Sequence, residues 1–245
     1  MATLTGRLVE EACLSAAQRD RMYALMEECY EGVTRRDFDD DLREKQQVIL
    51  VEAPDSGELL GFSTLKLFHA RDGERTIHAL FSGDTVVTPS AWGDVALPRV
   101  WGRYALSLME RFADQPLYWF LISKGYKTYR FLPLFFHEYY PRCDRPTPLG
   151  TRRILDALAS SKFPGRYDAE AGIVRADPVS ARLRRGIADI TDQRQKDPHV
   201  RFFARCNPGH ARGDELCCLA PLTPRNFTRA AYRVIGQAPA ARLAN

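Results

Sequence analysis

His78 and Asp84, an imidazole and a carboxylate six residues apart, lie on one strand-like run over residues 76–87. Side chains alternate along a strand, so an unbulged run would place both on one face. Each also has a plainer reading. A lone histidine on an alternating strand is commonly a satisfied side chain, and Asp84 beside Gly83 can bind a backbone amide and end the pairing. A second set is cationic: Arg99, Arg103, Lys124, Lys127 and Arg130, with Arg99-Val100-Trp101-Gly102 opening it. A third is aromatic. Phe135-Phe136-His137-Glu138-Tyr139-Tyr140 closes a segment, from Tyr118 on, whose rings read first as core, with most hydroxyls bonded at its rim.

Charge separates along the chain. Residues 1–98 carry 10 Lys/Arg against 18 Asp/Glu, residues 99–150 carry 8 against 4, and residues 151–245 carry 17 against 9. A positive second half favours an anionic partner, unless the arginines are simply solvated. The six cysteines, in a chain whose first residues lack an apolar signal core, are expected to be reduced thiols of a cytoplasmic protein. Cys217 and Cys218 fall in an apolar strand, one to each face. No apolar run reaches the roughly 20 residues of a membrane helix.

These residues need positioning elements. Met22, Leu25, Met26, Cys29 and Tyr30 have helical spacing over residues 15–31, with Ser15 as N-cap. An acidic stretch at Asp37, Asp39, Asp40 and Asp41 reads as a solvated turn or helix start. Residues 47–53 and 59–68 form a hairpin around Pro54-Asp55-Ser56-Gly57. After the strand at 76–87, a helix opens over 94–98 with Val100, Trp101, Tyr104, Ala105, Leu108, Met109 and Phe112 on one face. Residues 117–122 are a continuous apolar strand, reached by a helical crossover and therefore expected to pair in parallel. Residues 124–140 read as an aromatic helix, 154–161 and 181–190 as helices, 199–206 and 215–219 as two strands, and 226–235 as a short helix. The tail 238–245 reads as loose. The fold class is α/β (α+β): a mixed central sheet with helices on both faces in one domain over 1–245. Its parts are a core at 1–142, a helical insertion at 143–198, and a late strand pair and helix at 199–245.

This order resembles the GNAT acyltransferase superfamily, chiefly over residues 15–142. The resemblance implies an N-acyltransferase that moves an acyl group from a pantetheine thioester, acyl-CoA or acyl carrier protein, to an amine. The pantetheine arm would lie between splayed fourth and fifth strands, with phosphates at the following helix N-terminus. Arg99-Val100-Trp101-Gly102 matches the first half of the family's Arg/Gln-x-x-Gly-x-Gly/Ala signature, whereas Tyr104 stands where a small residue is usual. That departure favours a carrier-bound donor, as in the N-acyl amino acid and acyl-homoserine lactone synthases. The five basic residues would suit an acidic carrier surface. By the same resemblance, Asp84 or His78 is the base and Tyr139 or Tyr140 the acid, with His137, Glu138, Tyr126 and Tyr129 as further candidates. Val87, Arg99, Gly102, Arg103, Lys124 and Tyr126 would hold the donor.

Other chemistries fit less well. His199, Cys206, His210, Cys217 and Cys218 lack the spacing of a zinc site, so no metal is expected. There is no Gly-x-Ser-x-Gly nucleophile motif, no phosphate-binding loop and no Gly-x-Gly-x-x-Gly element. The alternative from another class is an inactive GNAT-like or basic module for an acidic protein or nucleic acid. Its arginines are spread over several elements and no recognition motif accompanies them, which disfavours nucleic acid.

Overall fold

In the computed structural model, which describes residues 3–177 and 179–237, an eight-stranded sheet runs through the molecule. Its strands are β1 (Thr5–Glu10), β2 (Gln47–Glu52), β3 (Leu59–Asp72), β4 (Arg75–Val87), β5 (Leu117–Ser123), β6 (Tyr167–Asp168), β7 (Ile173–Val174) and β8 (Glu215–Pro221). They are ordered β1-β2-β3-β4-β5-β8-β7-β6. All neighbours are antiparallel except β4 and β5, which run parallel as expected.

Helices cover both faces: α1 (Ala16–Cys29), α2 (Arg35–Arg43), α3 (Ala96–Arg111), α4 (Tyr126–Tyr129), α5 (Phe131–Phe135), α6 (Leu149–Lys162), α7 (Asp192–Gln195), α8 (Pro198–Cys206) and α9 (Arg229–Ile235). One face packs α1 and α2 through Met22, Leu25, Phe38 and Leu42 onto Val48, Leu50 and Phe62. Further along that face, Leu155 and Leu158 of α6 meet Ala79, Phe81 and Phe120. The opposite face holds α3, α5 and α9 against Ile49, Leu65, Leu80, Trp119 and Leu121. Both faces being covered explains why Cys217 and Cys218 point to opposite sides and are both fully buried.

Local chemistry sets the element ends. Ser15 caps α1 in a reciprocal box with Gln18. The acidic stretch is α2 itself, capped by Thr34. Three expectations are corrected. Residues 199–206 are not a strand but most of α8: Asp197 accepts from the His199 N–H and Pro198 takes the first turn, a start signal that overrides the β-like run. Residues 124–140 are not one helix. The ring of Pro133 cannot sit over the carbonyl of residue 129, so α4 and α5 are separate turns, and Phe136 and Tyr140 follow as bridges to Phe227 and Leu219. Residues 181–190 are not helical; Arg182–Leu183 pairs with Tyr30–Glu31, and Gly186 at φ +90° breaks the chain beyond. The segment read as a helical insertion also supplies β6 and β7 to the sheet. The tail expected to be loose, 238–245, lies outside the described residues.

Candidate active site

The parallel pair β4 and β5 is in register from His78↔Leu117 to Ser82↔Leu121 and then parts. At the parting point β4 carries a bulge. Ser82 pairs Leu65 and Thr85 pairs Ser63, so Gly83 and Asp84 together stand opposite Thr64 alone. Gly83 is confined there: a Cβ would come within 2.6 Å of Thr64 Oγ1 and 2.8 Å of Lys45 Cε. Only a glycine lets the strand pass over that buried pair.

Beyond the bulge lies a cavity of about 660 Å3. Gly83 to Val87 together with Ile122, Lys124 and Gly125 form its floor, with the end of α1, α2, the loop before α3 and the turn of α4 around it. Asp84 is half-buried in it. Burial pushes its carboxyl up to about 6, the Asp41 charge adds to that, and Lys45 and Lys124 oppose it. Lys45 is a buried ammonium held by Asp41, at 2.6 Å from Oδ2 and 2.9 Å from the backbone oxygen. Lys124 is shared between Glu215 at 3.5 Å and the face of Tyr30. Lys127 Nζ sits 3.1 Å above the centre of the Trp92 ring, and loss of solvent lowers its proton affinity.

The bulge separates the two expected bases. Asp84 faces α2, whereas His78 stands at the far end of the β4–β5 pairing with its ring 4.7 Å from that of Phe112, just past α3. His78 therefore lies outside the cavity, contrary to the shared face expected of an unbulged strand. Asp84, Val87 and Lys124 line it, and the Val87 carbonyl accepts from Trp92 Nε1 at 2.9 Å.

Tyr139 and Tyr140 lie elsewhere. Tyr139 is buried against Tyr129 under the Arg142 guanidinium. Tyr140 bridges to β8 and its hydroxyl donates to Glu138 Oε2 at 3.1 Å. Tyr126 and Tyr129 are core, and His137 is exposed. Arg99 and Arg103 do not line the cavity either. Arg99 Nε donates to the Val234 carbonyl and Arg103 Nε to that of Ile235. The start of α3 is filled by Asp94, whose Oδ1 accepts from the Ala96 N–H at 2.6 Å. Arg130 is paired to Asp197, so of the five basic residues only Lys124 and Lys127 reach the cavity.

Among the cavity residues that the sequence reading did not single out is Tyr30, at the end of α1. Burial first, then the Asp84 and Glu215 charges, push its phenol far up, so it keeps its proton. Helical spacing had absorbed Tyr30 into an apolar face, and no local motif marks it. Among the described residues, no group of three or more His, Cys, Asp or Glu is placed to hold a metal, and no helix is long and apolar enough to cross a membrane.

No family model and no curated protein sequence matches the chain. Solved structures similar to it include acyltransferases. A probable N-acyltransferase from Enterococcus faecalis V583 is 14% identical at a TM-score of 0.40, over 58% of this chain and 38% of that one. A GCN5-related N-acetyltransferase from Kribbella flavida is 18% identical at 0.40, over 56% and 34%. The GNAT family N-acetyltransferase YhbS from Escherichia coli, solved with CoA, is 15% identical at 0.38, over 54% and 69%. The matched region spans little more than a third of the first two.

Proposed function

We propose that the protein transfers an acyl group from a pantetheine thioester to an amine in the cleft between β4 and β5. The observation that carries this reading is the parting of the two parallel strands at Ser82 and Leu121, with a carboxyl of raised proton affinity beside the gap. Past that point no ladder bond joins the strands, so an extended amide-bearing arm can lie between them and pair with the free edge of β4.

In this reading the amine approaches from the α1–α2 side. Its nitrogen attacks the thioester carbonyl while Asp84, ionised above about pH 6, accepts the proton lost from nitrogen. The carbonyl re-forms as the C–S bond breaks, giving an amide and a thiolate. Tyr30, which stays protonated in the cavity, would donate a hydrogen bond to the departing sulfur, and the thiolate takes its proton from solvent. Lys124 helps keep Asp84 ionised.

Both donor forms, CoA and carrier protein, present the same arm. The pairing of Arg130 with Asp197, and of Arg99 and Arg103 with α9, leaves little of the basic surface that a carrier would use, which favours CoA. Thermal-shift and native mass measurements with acetyl-CoA, a long-chain acyl-CoA and an acyl carrier protein test the reading, followed by thiol release with a panel of amines. Stabilisation by a thioester and amine-dependent thiol release are expected. No response to any thioester, with salt-sensitive retention on nucleic acid, would instead indicate the binding module.

A further inference from the structure

Arg99, Gly102 and Arg103, the three α3 residues that the family signature brings forward for the donor, all meet one element, the last turn of α9. Arg99 Nε donates to the Val234 carbonyl at 3.1 Å and Arg103 Nε to the Ile235 carbonyl at 3.2 Å. Carbonyls in a final turn have no helical N–H left to accept from, and they carry the negative end of the helix dipole. Both guanidinium groups thus hold a partial anion supplied by the chain itself. Between them Ile235 lies on Gly102, where a Cβ would stand 2.8 Å from Ile235 Cδ1 and 3.8 Å from its Cβ. Gly236, at φ +76°, ends the helix immediately after.

Where α3, α5 and α9 converge on the sheet, only an apolar pouch of about 50 Å3 remains, walled by Trp101, Trp119, Phe136, Phe227 and Ile235. A dry cavity that takes one benzene is about 150 Å3. The pouch therefore has room for a couple of carbon atoms and none for an extended arm. It adjoins the large cavity: Gly83, Thr85, Leu97 and Phe131 line both.

Building on the acyl-transfer reading, we propose that the last turn of α9 is a tethered stand-in for the acyl donor, occupying its groove until the donor displaces it. Withdrawal of Val234 and Ile235 opens the pouch into a groove that runs from Arg99 and Arg103 to the β4–β5 gap. The two guanidinium groups then exchange helix carbonyls for the phosphate groups of a phosphorylated pantetheine thioester. The bulk of α9 stays anchored by Tyr232, whose hydroxyl donates to the Pro224 carbonyl at 2.8 Å.

The test is a reversible lock. A Cβ separation of 3.8 Å is the mean for disulfides, so the double variant Gly102→Cys/Ile235→Cys should cross-link α9 to α3 when oxidised. Acetyl-CoA binding is measured by calorimetry on the oxidised and reduced forms, on wild type and on Ile235→Ala. The proposal expects the oxidised form to bind at least tenfold more weakly than the reduced form, and Ile235→Ala to bind severalfold more tightly than wild type. Equal affinity in the two redox states, or weaker binding by Ile235→Ala, overturns the stand-in while leaving acyl transfer in place. Absence of acetyl-CoA binding by every form, including wild type, removes the acyl-CoA reading and the stand-in with it.

Discussion

Replacing Asp84 with Asn should stabilise the protein at pH 8 although it removes the proposed base. Folded Asp84 ionises near pH 6 rather than at 3.8, because burial disfavours its charge and Asp41 repels it. Between those values the folded state holds a proton that the unfolded chain has released. The stability contributed by this group is fully present below about pH 3.8 and is lost as pH rises through about 6. At about 1.4 kcal/mol per unit, the ionised carboxylate costs the fold about 3 kcal/mol at pH 8 and about half of that at pH 5. Asn carries no charge at either pH. The stability difference in favour of the variant should therefore grow by about 1–2 kcal/mol from pH 5 to pH 8. For a chain of this size that is about 3–6 °C in melting temperature. Urea unfolding of both proteins at the two pH values, followed by tryptophan fluorescence, measures it. A variant less stable than wild type at pH 8, or a difference that does not change with pH, would refute the account of Asp84 as a carboxylate under strain.

Three other perturbations probe the surroundings of the cleft. Ser82→Ala should cost about 2 kcal/mol in urea unfolding, because Ser82 Oγ accepts from both Trp119 Nε1 at 2.9 Å and Trp101 Nε1 at 3.2 Å and would leave two indole donors unpaired. Gly83→Ala should destabilise by about 1–3 kcal/mol, since its methyl would press on Thr64 Oγ1 and Lys45 Cε below the bulge. Lys45→Met removes the buried cation that favours ionised Asp84, so the Asp84 titration followed by carbon NMR should move to higher pH, with a downward move contradicting the assignment.

The elements that carry strong periodicity could be read without coordinates. Ser15 and the apolar spacing after it specify α1, the turn ending in Gly57 specifies the β2–β3 hairpin, and the apolar run at 117–122 specifies β5 and its parallel pairing. What failed was set by contacts distant in sequence. β1, missed entirely, is a strand whose side chains are mostly exposed and whose order comes from pairing with β2. The residues of α8 alternate like a strand, and the helix follows from its Asp197-Pro198 start together with the burial of Val200, Phe202 and Phe203. The bulge at Gly83–Asp84 leaves no trace except a glycine, yet it turns Asp84 toward α2 and strands His78 on the other side. Of the residues expected at the site, Asp84, Val87 and Lys124 come together at the cavity, each at the end of a recognisable strand. Tyr30 could not be read as a cavity residue, because its place there depends on α1 ending beside β4. That Arg99 and Arg103 bond to α9 could not be read, because a motif on α3 cannot reveal that α9 returns to cover it.

The most direct test of the central claim is an amide NMR titration of the labelled protein with acetyl-CoA. Acyl transfer in the β4–β5 gap predicts saturable shifts at Gly83 to Val87 and at Ile122 to Gly125, on the two strand ends that part after Ser82 and Leu121. Unchanged resonances on both strand ends at saturating thioester, or shifts confined to other parts of the surface, would contradict it.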